Sequence, residues 1–308
     1  MNYKTTLSLL LTVTLALFLA GCPTEEEPPE VYEELGIDGE ERVVIEYGHV
    51  PSISASERRA ELRPLEEYLE ENLPVEFSIN FDSDYGSVIE KIKEGEYNFA
   101  TFGPMSYVEA AREKAVTPAV KPLRFGEESY KSLLLAHEDS DIYEPEDFRG
   151  RSFAFVDEKS ASGYLFPYAF LKDQGIDPQA DLGVTSFLGG HTDVVAAVWL
   201  ENYAGGAVYD DARQDMDNPE RVIENTRVVA KTPPIPNEPW AFRAEFVEQY
   251  PELVEEIISL LVGLEDEGPS GKRILDSLGI SGFTRAEDAD YDVVRDLEDY
   301  LPEFEEEL

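Results

Sequence analysis

Cysteine is almost missing from this chain: Cys22 is the only one in 308 residues, so neither an intramolecular disulfide nor a cysteine-rich metal site can form. Histidine is nearly as scarce. His49, His137 and His191 are scattered, without metal-ligand spacing, and none stands beside an evident serine or cysteine nucleophile. Carboxylate pairs occur everywhere, so nothing isolates a glycosidase-type dyad. The reading is of a non-enzyme, and no motif calls for a cofactor. Positive charge is the third shortage, with 25 Lys and Arg against 66 Asp and Glu, a formal net charge of −41. That balance argues against nucleic acid as a partner. The excess is spread along the whole chain, the pattern of a carboxylate-coated surface of the kind found in halophiles. At molar salt the Debye length is about 3 Å, so such a coat hardly repels an anionic ligand. No internal repeat is visible.

Lys4 precedes an apolar run over residues 7–20, which closes on Leu19-Ala20-Gly21-Cys22. The run is short for a bilayer span and ends in small residues. The segment resembles a lipoprotein signal over residues 1–21, which implies lipid on Cys22 and attachment to the outer face of the plasma membrane. Residues 22–42 are rich in Glu and Pro with no apolar period, as in a solvated acidic spacer.

The stretch that organises the remainder is Lys159-Ser160-Ala161-Ser162-Gly163-Tyr164. It follows the apolar strand pattern Phe153-Ala154-Phe155-Val156 and opens a helical pattern over residues 164–174. Two hydroxyls and several backbone N–H groups converge there at a helix N-terminus, which can hold a phosphate-like anion without a cationic side chain. Equally, Ser160 or Ser162 simply caps the helix and Gly163 supplies backbone freedom.

Before that stretch the chain alternates. Strands are expected at residues 43–47, 75–81 and 97–102, with helices at 57–71, 87–93 and from Pro104. Pro64 falls within the first helix as a candidate kink. Tyr107, close to a helix start, is expected in the core. The alternation predicts mostly parallel sheets with ligand beyond the strands' carboxyl ends, where Tyr85 and Ser106 fall. Residues 130–136 form a strand crossing to a second lobe. Further strands are expected at 184–188, 205–209 (ending at Asp210-Asp211) and 228–230, with a helix at 191–203 whose Val194, Val195 and Val198 face the sheet. Residues 234–239 return, and from Trp240 onward the pattern is helical. Lobe 1 therefore comprises 43–131 plus 238–308 and lobe 2 comprises 132–237. Two crossings between lobes are a hinge, with ligand in the cleft.

Six motifs occur together: Asp84-Tyr85-Gly86, Phe102-Gly103-Pro104-Met105-Ser106-Tyr107, Tyr130-Lys131-Ser132, Ser160-Ala161-Ser162-Gly163, Gly190-His191 and Pro234-Ile235-Pro236-Asn237-Glu238. Their order resembles that of the phosphonate- and phosphite-binding proteins of ABC importers, the PhnD type, over residues 43–282. The resemblance implies an α/β, two-lobed type II periplasmic-binding-protein fold, each lobe a mostly parallel sheet flanked by helices, joined by two crossing strands. It also implies ligand contacts from Tyr85, Tyr130, Ser160, Ala161, Ser162, His191, Asp211 and Glu238. The implied ligand is a phosphonate, phosphite, phosphate or related oxyanion. The implied partners are an ABC permease and ATPase, for a monomer; a sensory module acting with a signalling partner is the alternative. Ala161 stands where a hydroxyl is common, Ala204 where many members carry Asp and Glu238 where Asp is frequent, so ligand preference does not carry over. Chemically, a monoprotonated oxyanion can donate to Glu238, whereas an aminoalkyl ligand would place its ammonium by Glu238 and Asp211. His191, after Gly189-Gly190, is a ligand contact or a helix cap.

Overall fold

The computed structural model describes residues 35, 37, 41–50, 55–210 and 212–302. The segment expected to be a signal, Cys22, nearly all of the expected spacer and Asp211 lie outside the described residues. Among the described residues no helix is long and apolar enough to cross a membrane, and no His, Cys, Asp and Glu cluster is placed to hold a metal.

Thirteen strands are described. The first sheet holds β1 (Val43–His49), β2 (Val75–Phe81), β3 (Phe99–Thr101), β4 (Val116–Leu123), β12 (Trp240–Arg243) and β13 (Gly282–Arg285), in the order β13-β4-β12-β3-β1-β2. The second holds β6 (Ser132–His137), β7 (Phe153–Phe155), β8 (Thr185–Phe187), β9 (Gly205–Tyr209) and β10 (Thr226–Lys231), in the order β10-β6-β9-β7-β8. Between them a two-stranded ladder pairs β5 (Ser129–Tyr130) with β11 (Ile235–Pro236), Tyr130 opposite Ile235.

The expectation of mostly parallel sheets needs correction, because both are mixed. β1 runs parallel to β2 and β3, and β7 runs parallel to β8 and β9, as helix-connected strands must. Every antiparallel pairing in the two larger sheets involves β6, β12 or β13. The cause is direction of entry. β6 and β12 begin at the crossing, so they run against neighbours whose carboxyl ends point to it.

The helical pattern expected from Trp240 is corrected at its start, where Trp240–Arg243 form β12; the helices Ala244–Gln249, Pro251–Gly263 and Gly268–Leu278 follow as expected. Phe242 stacks on Phe99 of β3 with ring centroids 4.0 Å apart, and Trp240 meets Tyr47 of β1 at 5.6 Å. Burial of these rings between β3 and β4 outweighs local helix propensity. β4 was hidden by Pro118 and Pro122, which a ladder seldom admits. Pro118 sits where the β12 register shifts, so its missing N–H is tolerated.

The expected strand over 130–136 is interrupted at Lys131, whose carbonyl accepts from Asp210 N–H at 2.7 Å. β6 then runs fully buried through Leu133, Leu134, Leu135 and Ala136, as a central strand does. Pro64 lies inside the helix Ala55–Asn72, which continues through it. Tyr107 is fully buried and donates to Asp288 at 2.8 Å, and Val194, Val195 and Val198 are all buried.

Asn237 ties the crossing. Its Nδ2 donates to the Pro122 carbonyl at 2.7 Å and the Glu127 carbonyl at 3.0 Å. Its main chain donates to Glu128 and accepts from Tyr291 Oη, each at 3.0 Å. The segment leading to Glu238 is thereby held to the turn after β4.

Candidate functional site

A cleft of about 380 Å³ opens between the sheets. Its lining includes Tyr85, Tyr130, Ser160, Ala161, Ser162, His191 and Glu238, so seven of the eight expected contacts share one hollow. The eighth, Asp211, falls outside the described residues, and its neighbour Asp210 lines the cleft.

The floor is built where β7 ends. Ser160 caps a π-helical turn, Ala161–Leu165, that leads directly into the α-helix Phe166–Asp173. The expected helix thus begins earlier, with a wider turn. Ser160 Oγ accepts from Gly163 N–H at 3.0 Å, and the Ser160 carbonyl accepts from Tyr164 and Leu165, each at 3.1 Å. Ser160 is therefore both a cap and a lining residue. The amides of Ala161 and Ser162 lie in the first turn, where no intrahelical acceptor exists, and both residues line the cleft. Ala161 brings no hydroxyl, but its backbone donor is retained.

Packing fixes this loop. A Cβ on Gly163 would lie 2.4 Å from Val156 Cβ, so only glycine lets the turn close against the end of β7. From beneath, buried Ser132 donates to the Ser162 carbonyl at 2.5 Å, with the Val208 carbonyl at 3.1 Å. Lys159 points away to Glu109 on the helix Pro104–Arg112, both contacts at 2.6 Å. That ion pair joins elements packed on different sheets.

His191 opens the helix His191–Trp199 and is buried beside Tyr209. Desolvation lowers its pKa to about 3, so the ring is neutral at ordinary pH. Tyr209 N–H donates to Nδ1 at 3.2 Å, which assigns the remaining proton to Nε2 and makes that edge a donor.

Tyrosines face this floor. Tyr85 starts the helix Tyr85–Glu94, whose cap Asp84 accepts from Ser87 N–H at 2.8 Å. The hydrogen bonds from Ser87 hold the Asp84 carboxyl below its ordinary pKa. Burial pushes the phenols of Tyr85 and Tyr130 up, opposed by the hydroxyls of Ser160 and Ser162 respectively. Both phenols therefore keep their protons and can donate. Ser106, by contrast, is buried and donates to the Gly103 carbonyl at 3.0 Å, a structural role in its helix's first turn.

Several charged or polar lining residues were not foreseen, among them Arg124, Arg58, Glu61 and His49. Arg124, directly after β4, donates through Nη2 to Glu238 Oε1, so the carboxylate read as an acceptor for ligand is ion-paired. Arg58 lies 2.8 Å from Glu61, and both line the cleft. His49, set apart from any site on sequence, is buried at the end of β1 and lines the cleft as well. Desolvation, aided by the Arg58 charge, lowers its pKa to about 3, while its Nδ1 meets the Val50 carbonyl at 2.6 Å. Arg124 stands in a tight turn, Arg124-Phe125-Gly126, but no local pattern tells that this turn meets Glu238.

The arrangement lines one cleft with neutral donors, a set suited to holding an oxyanion. Comparison with known proteins agrees with it. The family described as "ABC transporter, phosphonate, periplasmic substrate-binding protein" matches residues 47–291. The phosphate-import protein PhnD of Mycolicibacterium smegmatis is 31% identical over 206 residues, 64% of this chain; that match spans 63% of the mycobacterial protein, just under two thirds. A probable ABC transporter phosphite-binding protein of Prochlorococcus marinus is 22% identical, covering 82% of this chain and 88% of its own. Among solved structures, the binding component of a Pseudomonas aeruginosa phosphonate transporter superposes with TM-score 0.74 at 21% identity, covering 84% of this chain and 86% of its own. The Prochlorococcus protein in complex with methylphosphonate superposes with TM-score 0.73 at 21% identity, covering 82% and 96%.

Proposed function

The chain belongs to the periplasmic substrate-binding proteins of phosphonate ABC transporters, and from that premise we propose that it captures a phosphonate, phosphite, phosphate or related phosphorus oxyanion for an ABC permease and its ATPase. The observation that carries the proposal is the convergence of Ser160, Ser162, the first-turn amides, the His191 Nε2 edge and two phenols on one cleft. Each is a donor and none is a cation, so an anion entering exchanges water for oriented N–H and O–H groups. Nothing in this set attacks a bond.

Lobe 1 then comprises 43–131 plus 238–308 and lobe 2 comprises 132–237, hinged at the β5–β11 ladder and closing around ligand as a monomer. Asp211 is counted among the ligand contacts. The surface charge reflects a saline habitat. Calorimetry with methylphosphonate, phosphite and phosphate in molar salt tests the proposal, with saturable binding of at least one expected. Silence toward all three overturns it.

Lipid on Cys22 holds the protein at the outer membrane face, near its permease. A Cys22→Ser variant is expected in the medium; unchanged membrane retention contradicts the anchor.

A further inference from the structure

Resting on the oxyanion reading above, we propose that Arg124 sets the substrate class: by occupying Glu238, it selects phosphonates whose organic group carries no positive charge. The pair is built in, not incidental. Arg124 N–H donates to the Glu127 carbonyl and Glu127 N–H donates back to Arg124, both at 3.0 Å, closing a turn through Phe125 and Gly126 at φ 54° and 78°. Glu238 follows the four-bonded Asn237. Two fixed backbones thus present a guanidinium to a carboxylate inside the cleft.

The guanidinium has five N–H donors, and the side chain remains 36% accessible. Its hydrogen-bond partner among the described residues is Glu238, and Arg124 lines the cleft, so its other donors are available to a ligand there. Among the described residues the other lining carboxylates are engaged too. Glu61 meets Arg58 at 2.8 Å, Asp276 meets Lys272 at 2.8 Å, Asp210 meets Lys231 at 3.5 Å, and Asp215 accepts from Tyr209. An ammonium group on the ligand would find Glu238 compensated and would lie beside a fixed like charge.

The cleft has space for such a discriminating group. Its 380 Å³ far exceeds the roughly 10–15 Å³ that admits a single water, so a five-atom oxyanion leaves room to spare. An alkyl or carboxyalkyl substituent can take up the remainder, the latter gaining the open guanidinium edge.

The test is calorimetry on the full chain, at fixed pH and salt, with ethylphosphonate, 2-aminoethylphosphonate and phosphonoacetate as probes. The native protein is expected to bind aminoethylphosphonate at least about tenfold more weakly than ethylphosphonate, since one uncompensated like-charge contact easily costs that much. Arg124→Gln leaves Glu238 uncompensated, so it should weaken ethylphosphonate, weaken phosphonoacetate more, and spare or strengthen aminoethylphosphonate, shrinking that ratio about tenfold or reversing it; Arg124→Lys should keep the native order. Native preference for the amine, or a ratio unmoved in Arg124→Gln, overturns the inference while leaving the oxyanion reading intact. If Arg124→Gln does not fold, the native ranking decides alone. No binding of any probe or of inorganic phosphate removes the function and this inference together.

Discussion

The two faces of the cleft are built on different principles. The face from the second sheet is main chain and hydroxyl, held by packing: Gly163 against Val156, Ser132 beneath Ser162, Tyr209 N–H on His191. The face from the first sheet and the crossing is side chain and charge, with two phenols and the Arg124–Glu238 pair. The contrast teaches a division of labour. On the proposed function, the backbone grip would recognise any tetrahedral oxyanion, and exchangeable side chains on the opposite face would decide what may be attached to it.

The largest effects should come from breaking the buried face. Gly163→Ala has no room for its Cβ, and overpacking there is expected to cost about 1–3 kcal/mol of stability and to abolish oxyanion binding. Thermal unfolding and calorimetry on the same sample check both. A variant as stable as the parent that binds normally would show that the loop is not rigid. Acid gives a second large effect, and it samples both faces. His49 and His191 are lowered to about 3 when folded but titrate near 6.5 when unfolded. Their contribution is complete above about pH 6.5 and is lost as pH falls toward 3, because the unfolded chain then binds more protons. His191→Gln should flatten the fall in melting temperature between pH 6.5 and 4, and His49→Gln should do likewise. An unchanged slope in both contradicts neutral burial.

Smaller effects sharpen the comparison. Ser160→Ala removes a cap worth about 0.5–2 kcal/mol and a charge-assisted contact, so affinity should fall roughly 10–100-fold. Tyr85→Phe, on the opposite face, should cost about 2–10-fold in affinity and leave stability unchanged. Equal losses at the two positions would erase the distinction between faces. Least of all, Lys159→Ala breaks the ion pair to Glu109, whose partners are 34% and 37% accessible. Such a pair is worth about 0–1 kcal/mol, read as a modestly faster ligand off-rate in stopped flow.

These same faces differ in how far the sequence disclosed them. The backbone grip is local: a strand, two serines, a glycine and a helix start lie within a few residues, so Ser160, Ala161 and Ser162 could be picked out directly. His191 was legible through Gly189-Gly190. The charged face is assembled from distant segments, and Arg124 meets Glu238 across 114 positions. Nothing local marked that pairing, nor the arrival of His49 at the cleft. Strand order was lost for a related reason: β12 is a strand because Phe99 and Tyr47 cover it, and no window around Trp240 contains them. Pro118 hid β4 until its register shift was seen.

The most direct test of the central claim is a crystal structure with methylphosphonate. The account predicts phosphoryl oxygens about 2.7–3.0 Å from Ser160 Oγ, Ser162 Oγ and the first-turn amides, closed over by Tyr85 and Tyr130. A phosphoryl group seated on Arg124 alone, with the Ser160–Ser162 loop making no contact, would contradict it.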